Sequence, residues 1–159
     1  MKRLNFYLIM LTSIFMLASC TAGKKMVDNR SVKEKIESQR YTFKADYVSP
    51  TSAGFQPRYL TSEYTLKVTP DTVQAYLPYF GRAYEAPFNP SDGGFKFTST
   101  NFNYELKQGK KPGNWIINIK IHDQRQRVEF NFEVWDNGKG DLRVFDQSKQ
   151  PISFQGELE

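Results

Sequence analysis

The chain reads as mainly β: a single antiparallel domain of about seven to nine strands, a small barrel or a sandwich, with a short helix in front of it. Three observations predict this. From Tyr41 to Phe154 apolar residues alternate with polar ones at a period of two, as half-buried strands do. The connections between these runs are short and rich in Gly, Pro, Asn and Asp. No helical period separates the runs, so the crossovers of a parallel sheet are missing.

The elements follow in order. Lys2 and Arg3 precede an apolar run from Leu4 to Leu17, broken only by Asn5, Thr12 and Ser13, and Leu17-Ala18-Ser19-Cys20 closes it. A basic head, an apolar centre and small residues before the cut make residues 1–19 a signal peptide. The cysteine at the cut makes it a lipobox. The run is roughly 14 residues against the ~20 that a spanning helix needs. Cys20 would then begin the mature chain, its thiol carrying a diacylglycerol and its amino group a further chain such as palmitate. At about 0.8 kcal/mol per buried methylene, such an anchor does not readily let go.

Residues 20–40 form a tether with room for a short helix. Ser31 and Glu34 have capping-box spacing, and Val32 and Ile36 share one helical face. Two apolar residues are a thin stripe, so this helix either packs across the β-domain or frays.

The β-domain spans residues 41–159. Tyr41, Phe43, Ala45 and Tyr47 alternate with Thr42, Lys44 and Asp46. Tyr64, Leu66 and Val68 follow, then Val73, Ala75, Leu77 and Tyr79. The second half alternates through Phe102, Tyr104 and Leu106, then Trp115 to Ile121, Val128 to Val134, and Leu142 with Val144. Ile152 and Phe154 close the series. The opposite faces carry Asn118, Lys120, His122, Glu129, Asn131 and Glu133, the wet side of an antiparallel sheet. Asn137-Gly138 predicts a tight type I′ hairpin.

Composition narrows the function. The full chain has 22 Lys and Arg against 17 Asp and Glu, a net charge of +5, and the mature chain loses only Lys2 and Arg3. That mild balance gives no nucleic-acid footprint. Cys20 is the only cysteine and its thiol is expected to be acylated, so thiol chemistry, disulfides and cysteine-ligated metals are excluded. His122 is the only histidine. Its neighbour Asp123 points to the opposite face if the strand continues, so no acid–base pair forms. Glu129 and Glu133 share a face but stand about 13 Å apart along a strand. Asp92, Asp123, Asp136 and Asp141 fall in or beside turns, where Asp serves the backbone. The motifs of nucleophilic hydrolases, metalloproteases and phosphate loops are absent. The expectation is a protein without catalytic residues, metal or cofactor, carboxylate catalysis being the least favoured alternative.

A family resemblance adds to this. The strand opening Tyr41-Thr42-Phe43, the run Tyr76-Leu77-Pro78-Tyr79-Phe80-Gly81-Arg82-Ala83-Tyr84, the pair Gly93-Gly94 before Phe95-Lys96-Phe97, and the ending Ile152-Ser153-Phe154-Gln155-Gly156 are its carriers. With the lipobox, the chain resembles a family of small secreted or lipidated proteins of Gram-negative anaerobes, catalogued as a domain of unknown function. The resemblance implies one domain and a cell-envelope location. It transfers no catalytic residue.

One segment stands out. Residues 76–88 hold five aromatics, Pro78, Pro87, Arg82 and Glu85. Rings on a proline-bounded segment make flat surfaces with polar edges. Tyr79, Arg82 and Tyr84 are the candidate ligand or partner surface, with Phe80 and Phe88 as packing neighbours. The competing reading makes the same segment a plug that closes the barrel or crosses between sheets. A second candidate is electrostatic: the Lys107–Lys111 loop and Lys139 fall at one end of the meander, suited to anionic headgroups, although lysines at hairpin tips more often serve solubility and edge protection.

The expected function is a membrane-anchored, periplasm-facing binding module on the outer membrane, with an envelope protein, a peptide or a glycan as partner. The alternative is a structural or stress-related envelope component with no ligand site.

Overall fold

Alternation at period two does become strands, and the computed structural model describes residues 31–84 and 93–159. The signal segment, Cys20, most of the tether and Phe88 lie outside the described residues. A helix, α1 (Val32–Glu37), precedes β1 (Tyr41–Pro50), β2 (Arg58–Val68), β3 (Val73–Leu77), β4 (Phe95–Ser99) and β5 (Phe102–Gln108). Then come β6 (Asn114–Ile121), β7 (Val128–Trp135), β8 (Lys139–Asp146) and β9 (Lys149–Leu158). They form one sheet in the order β4-β3-β2-β1-β9-β8-β7-β6-β5.

The order decides between barrel and sandwich. Every neighbouring pair is antiparallel, so the eight steps across the sheet leave the edge strands β4 and β5 pointing the same way. These strands are also consecutive, with only Thr100 and Asn101 between them. They are the two halves of one bent run, the first paired to β3 and the second to β6. The sheet therefore curls round until its edges meet in the chain itself, giving a nearly closed barrel. Asp123, in the β6–β7 turn, pins the bend. Its carboxylate accepts the backbone N–H groups of Thr100 at 2.9 Å and Asn101 at 3.3 Å. The Ser99 hydroxyl and the Thr100 N–H hold the Asp123 carboxyl down at about 2.

The barrel interior is filled. Phe43, Phe130, Phe132 and Phe154 are fully buried together with Leu66, Leu77, Leu142, Ile117, Ile119 and Ile121. Phe43 meets Phe132 edge to face at 4.7 Å. A barrel of this strand number is just wide enough for side chains to fill, so the core leaves function to the outside and the ends.

α1 covers one end. The capping box predicted from Ser31 and Glu34 is formed in both directions. Ile36 is completely buried, and its carbonyl accepts the Tyr104 hydroxyl at 2.9 Å. The helix packs rather than frays because Ile36 enters the barrel mouth. It ends in a Schellman pattern, Arg40 N–H to Lys35 carbonyl at 3.0 Å and Gln39 N–H to Ile36 carbonyl at 3.3 Å, with Gln39 left-handed at φ 52°.

Three local expectations change. Tyr47 was expected inside with Tyr41, Phe43 and Ala45. A bulge between Ala45 and Tyr47 inserts Asp46, and beyond it Val48 is the buried residue while Tyr47 faces outward. Gly156, opposite Ala45, permits the close approach: a Cβ there would lie 1.8 Å from the Lys44 carbonyl oxygen. The β7–β8 turn is not type I′. Asp136, Asn137 and Gly138 make a three-residue connection with Gly138 at φ 83° and its N–H on the Trp135 carbonyl at 2.8 Å. Finally, β3 stops at Leu77 instead of reaching Tyr79, since Pro78 has no N–H to extend the ladder.

Candidate functional site

The segment after Pro78 crosses the end of the barrel opposite α1, against the β8–β9 turn. The Tyr79 hydroxyl donates to the Arg82 carbonyl at 2.7 Å and to the Gln150 carbonyl at 3.2 Å. Its ring stands edge-on to Phe95 at 5.9 Å, and burial lifts its phenol above the ordinary value. Lys149 lies over both rings, 5.5 Å from Tyr79 and 4.6 Å from Phe95. Its ammonium is 3.7 Å from the largely buried Asp146 carboxylate. Arg82 and Tyr84 are tied by their backbones, through Gln150 N–H to Arg82 carbonyl at 3.2 Å and Tyr84 N–H to Ser148 carbonyl at 2.7 Å. Ser52 bonds Gln150 from below, and its hydroxyl accepts the Arg82 N–H.

The candidate surface therefore splits. Tyr79 is a strut, its polar end consumed by the segment it supports. The Arg82 and Tyr84 side chains are exposed, Tyr84 at 67%. Phe80 packs partly on the core with the Arg58 guanidinium 4.5 Å above its ring.

The structure builds a different concavity on the outer face. A groove of about 320 Å³ runs over β1, β9 and β8 to the end of β7. Tyr47 and Trp135 wall it on opposite sides; Gln155 lies on its floor, beside the glycine pair Gly140 and Gly156. Asp46, Asp141, Glu157 and Lys139 supply its charge. The β1 bulge creates it by turning Asp46 and Tyr47 to the outside. Tyr59, 80% exposed, stands edge-on to Tyr47 at 5.0 Å and extends that wall.

Sequence reasoning missed this site for one reason it could not see and one it could. The bulge that reverses Tyr47 is a feature of pairing. Trp135, however, shares the parity of Glu133, so an indole on the wet face was readable from alternation alone. Two further concavities are less distinctive. One of 430 Å³ lies at the α1 end around Tyr41, Lys67 and Glu159. Another of 380 Å³ lies over Tyr76, whose ring is already covered by Lys96 at 5.4 Å and stacked on Tyr64 at 5.6 Å.

The expected charge layout holds in part. Lys33 sits 5.7 Å over Trp115, whose indole N–H donates to Asp136 at 3.0 Å. This places the start of α1 beside the Lys107–Lys111 loop and the Lys139 turn, as the meander implied, with Glu105, Asp136 and Glu157 interspersed. Lys107 is engaged by Glu105 at 3.4 Å.

A packed antiparallel barrel with a bulged first strand and an aromatic-walled groove outside it defines a small β-barrel-like domain. The chain belongs to the family described as a domain of unknown function (DUF4251), whose model matches residues 24–158. Its fold is similar to that of a DUF4251 family protein from Bacteroides eggerthii DSM 20697, solved by crystallography. That likeness has 12% identity and a TM-score of 0.56, over 79% of this chain and 83% of that one. The resemblance to uncharacterised proteins of Gram-negative anaerobes is thus met in both family and kind of organism. No curated protein matches the chain.

Proposed function

We propose that this protein is a non-catalytic binding module, held through lipid on Cys20 at the periplasmic face of the outer membrane, and that the groove between Tyr47 and Trp135 is its binding site. One observation carries the reading. Two aromatic side chains that belong to no core wall a concavity of about 320 Å³ on the outer face of a barrel whose interior is full. Apolar rings left at a concave surface gain most when a partner covers them. The polar groups beside them are carboxylates, an amide and one ammonium, with no nucleophile and base in contact. His122, the chain's one histidine, is exposed at the β6–β7 turn beside Asp123 and away from the groove. The lipobox supports the anchor, and α1 begins only twelve residues after Cys20, so the tether holds the domain close to the bilayer.

The test uses the two tryptophans of the chain. With Trp115→Phe, Trp135 becomes the sole indole and reports from the groove wall. The full-length variant in detergent micelles is titrated with short peptides and with oligosaccharides. Saturable change in Trp135 emission, abolished by Tyr47→Ala, is the expected result. A flat response across both ligand classes overturns the reading.

A further inference from the structure

The groove is walled by aromatics, and its charge is unbalanced in a way that selects a partner. Asp46, Asp141 and Glu157 face one cation, Lys139, and none of the three carboxylates forms an ion pair among the described residues. Asp141 has only a long contact of 3.5 Å from the Gln155 amide. The cations that flank the groove are occupied elsewhere. Lys44 reaches Glu63 at 3.6 Å, Arg58 rests on Phe80 at 4.5 Å, and the Arg143 Nε turns to the Ser153 hydroxyl at 3.4 Å. Folding thus gathers three carboxylates on one concave face; Glu157 lies opposite Lys44 and Lys139 in the register, whereas Asp46 and Asp141 have no cation opposite them.

We infer that the groove takes a basic, extended peptide segment of a partner protein. This rests on the binding reading above and names its ligand class. A lysine or arginine head would lie against the Tyr47 or Trp135 ring, where the ring quadrupole attracts a cation. Its remaining N–H donors would meet the Asp46, Asp141 and Glu157 carboxylates, and an arginine can engage a carboxylate with two parallel bonds. Tyr47 and Trp135 sit three strands apart, about 14 Å at the usual strand spacing. One side chain cannot touch both, whereas two basic residues of an extended segment can, which favours a peptide over an isolated amine. A neutral glycan would stack on the same rings but would leave the Asp46 and Asp141 carboxylates uncompensated.

The experiment titrates the full-length Trp115→Phe protein in zwitterionic detergent micelles with hexalysine, hexaglutamate and chitotetraose, following Trp135 emission. Hexalysine is expected to bind saturably. Its Kd should rise about tenfold when Asp46→Asn and Asp141→Asn are combined. It should rise again on going to about 0.5 M salt. The same charge change at Asp71→Asn and Glu105→Gln, away from the groove, should leave the Kd in place. Both groove substitutions are isosteric and lie at the surface, and an unchanged thermal midpoint verifies the fold. Equal loss at the groove and control positions overturns the inference by showing only diffuse attraction to an acidic protein. A response to chitotetraose without one to hexalysine overturns it while leaving the binding reading intact. Silence to all three ligands overturns both.

Discussion

Gln39 is the one described non-glycine residue with positive φ, and it occupies the position where a Schellman cap favours glycine. A side chain there meets the clash that makes left-handed backbone rare in L-residues, a cost of about 1 to 2 kcal/mol. Part of that cost is offset because glycine loses more freedom on folding. Gln39→Gly is therefore expected to stabilise the protein by up to about 1 kcal/mol. Urea denaturation of both forms checks it, and an unchanged or lower midpoint would mean that the Gln39 side chain makes contacts worth more than its strain. The neighbouring capping box was legible at the same scale, because Ser31 and Glu34 need only each other's backbone. Tyr79 was not. Its hydroxyl is spent on carbonyls of Arg82 and Gln150, and the second lies 71 residues away, so no local pattern separates a strut from a binding tyrosine.

At the scale of the element, the bend between β4 and β5 carries the closure of the sheet and hangs on Asp123. The Ser99 hydroxyl comes first among the groups that hold this carboxyl at about 2 against an ordinary 3.8, with the Thr100 N–H next. The native state thus releases the proton more readily than the unfolded chain. Its contribution is present above pH 3.8 and is lost as pH falls through about 2. Asp123→Asn should remove this part of the acid dependence and loosen the bend, read as faster amide exchange at Thr100 and Asn101. Identical acid midpoints and exchange rates in both proteins would show that the bend stands without it. The role of Asp123 as a turn residue bonded to backbone was readable in the sequence. Its partners were not, since the turn it serves belongs to a different hairpin. The three-residue β7–β8 connection makes the same point: Asn137-Gly138 marks a turn, but pairing of Trp135 and Lys139 chooses its length.

Over the whole molecule, one packed core fills the barrel, and it buries two phenols near the α1 end. Burial is the first cause of both shifts: Tyr104 is pushed from 10.0 up to about 12, and Tyr41, fully enclosed beside it, is raised well above its usual value. Above about pH 10 the unfolded chain gives up protons that the native barrel retains. Stability should therefore be flat through neutral pH and fall as pH climbs from about 10 towards about 12. Urea midpoints across that range test this, together with a phenolate titration in which two tyrosines ionise only on unfolding. Tyr104→Phe should make the fall shallower. A fall that begins near pH 8 would point to a group other than these phenols.

Alternation from Tyr41 to Phe154, the turn residues and the capping box depend on neighbours along the chain, and for that reason the sequence by itself determined the antiparallel β class, the wet face of β6 and β7, and the short helix. Closure into a barrel was decided in three dimensions, because it needs β1 to pair β9 and one run to bend between β3 and β6. The groove was decided there too: Asp46 becomes a bulge only when β1 lies against Gly156, and that insertion is what turns Tyr47 out to face Trp135 across three strands.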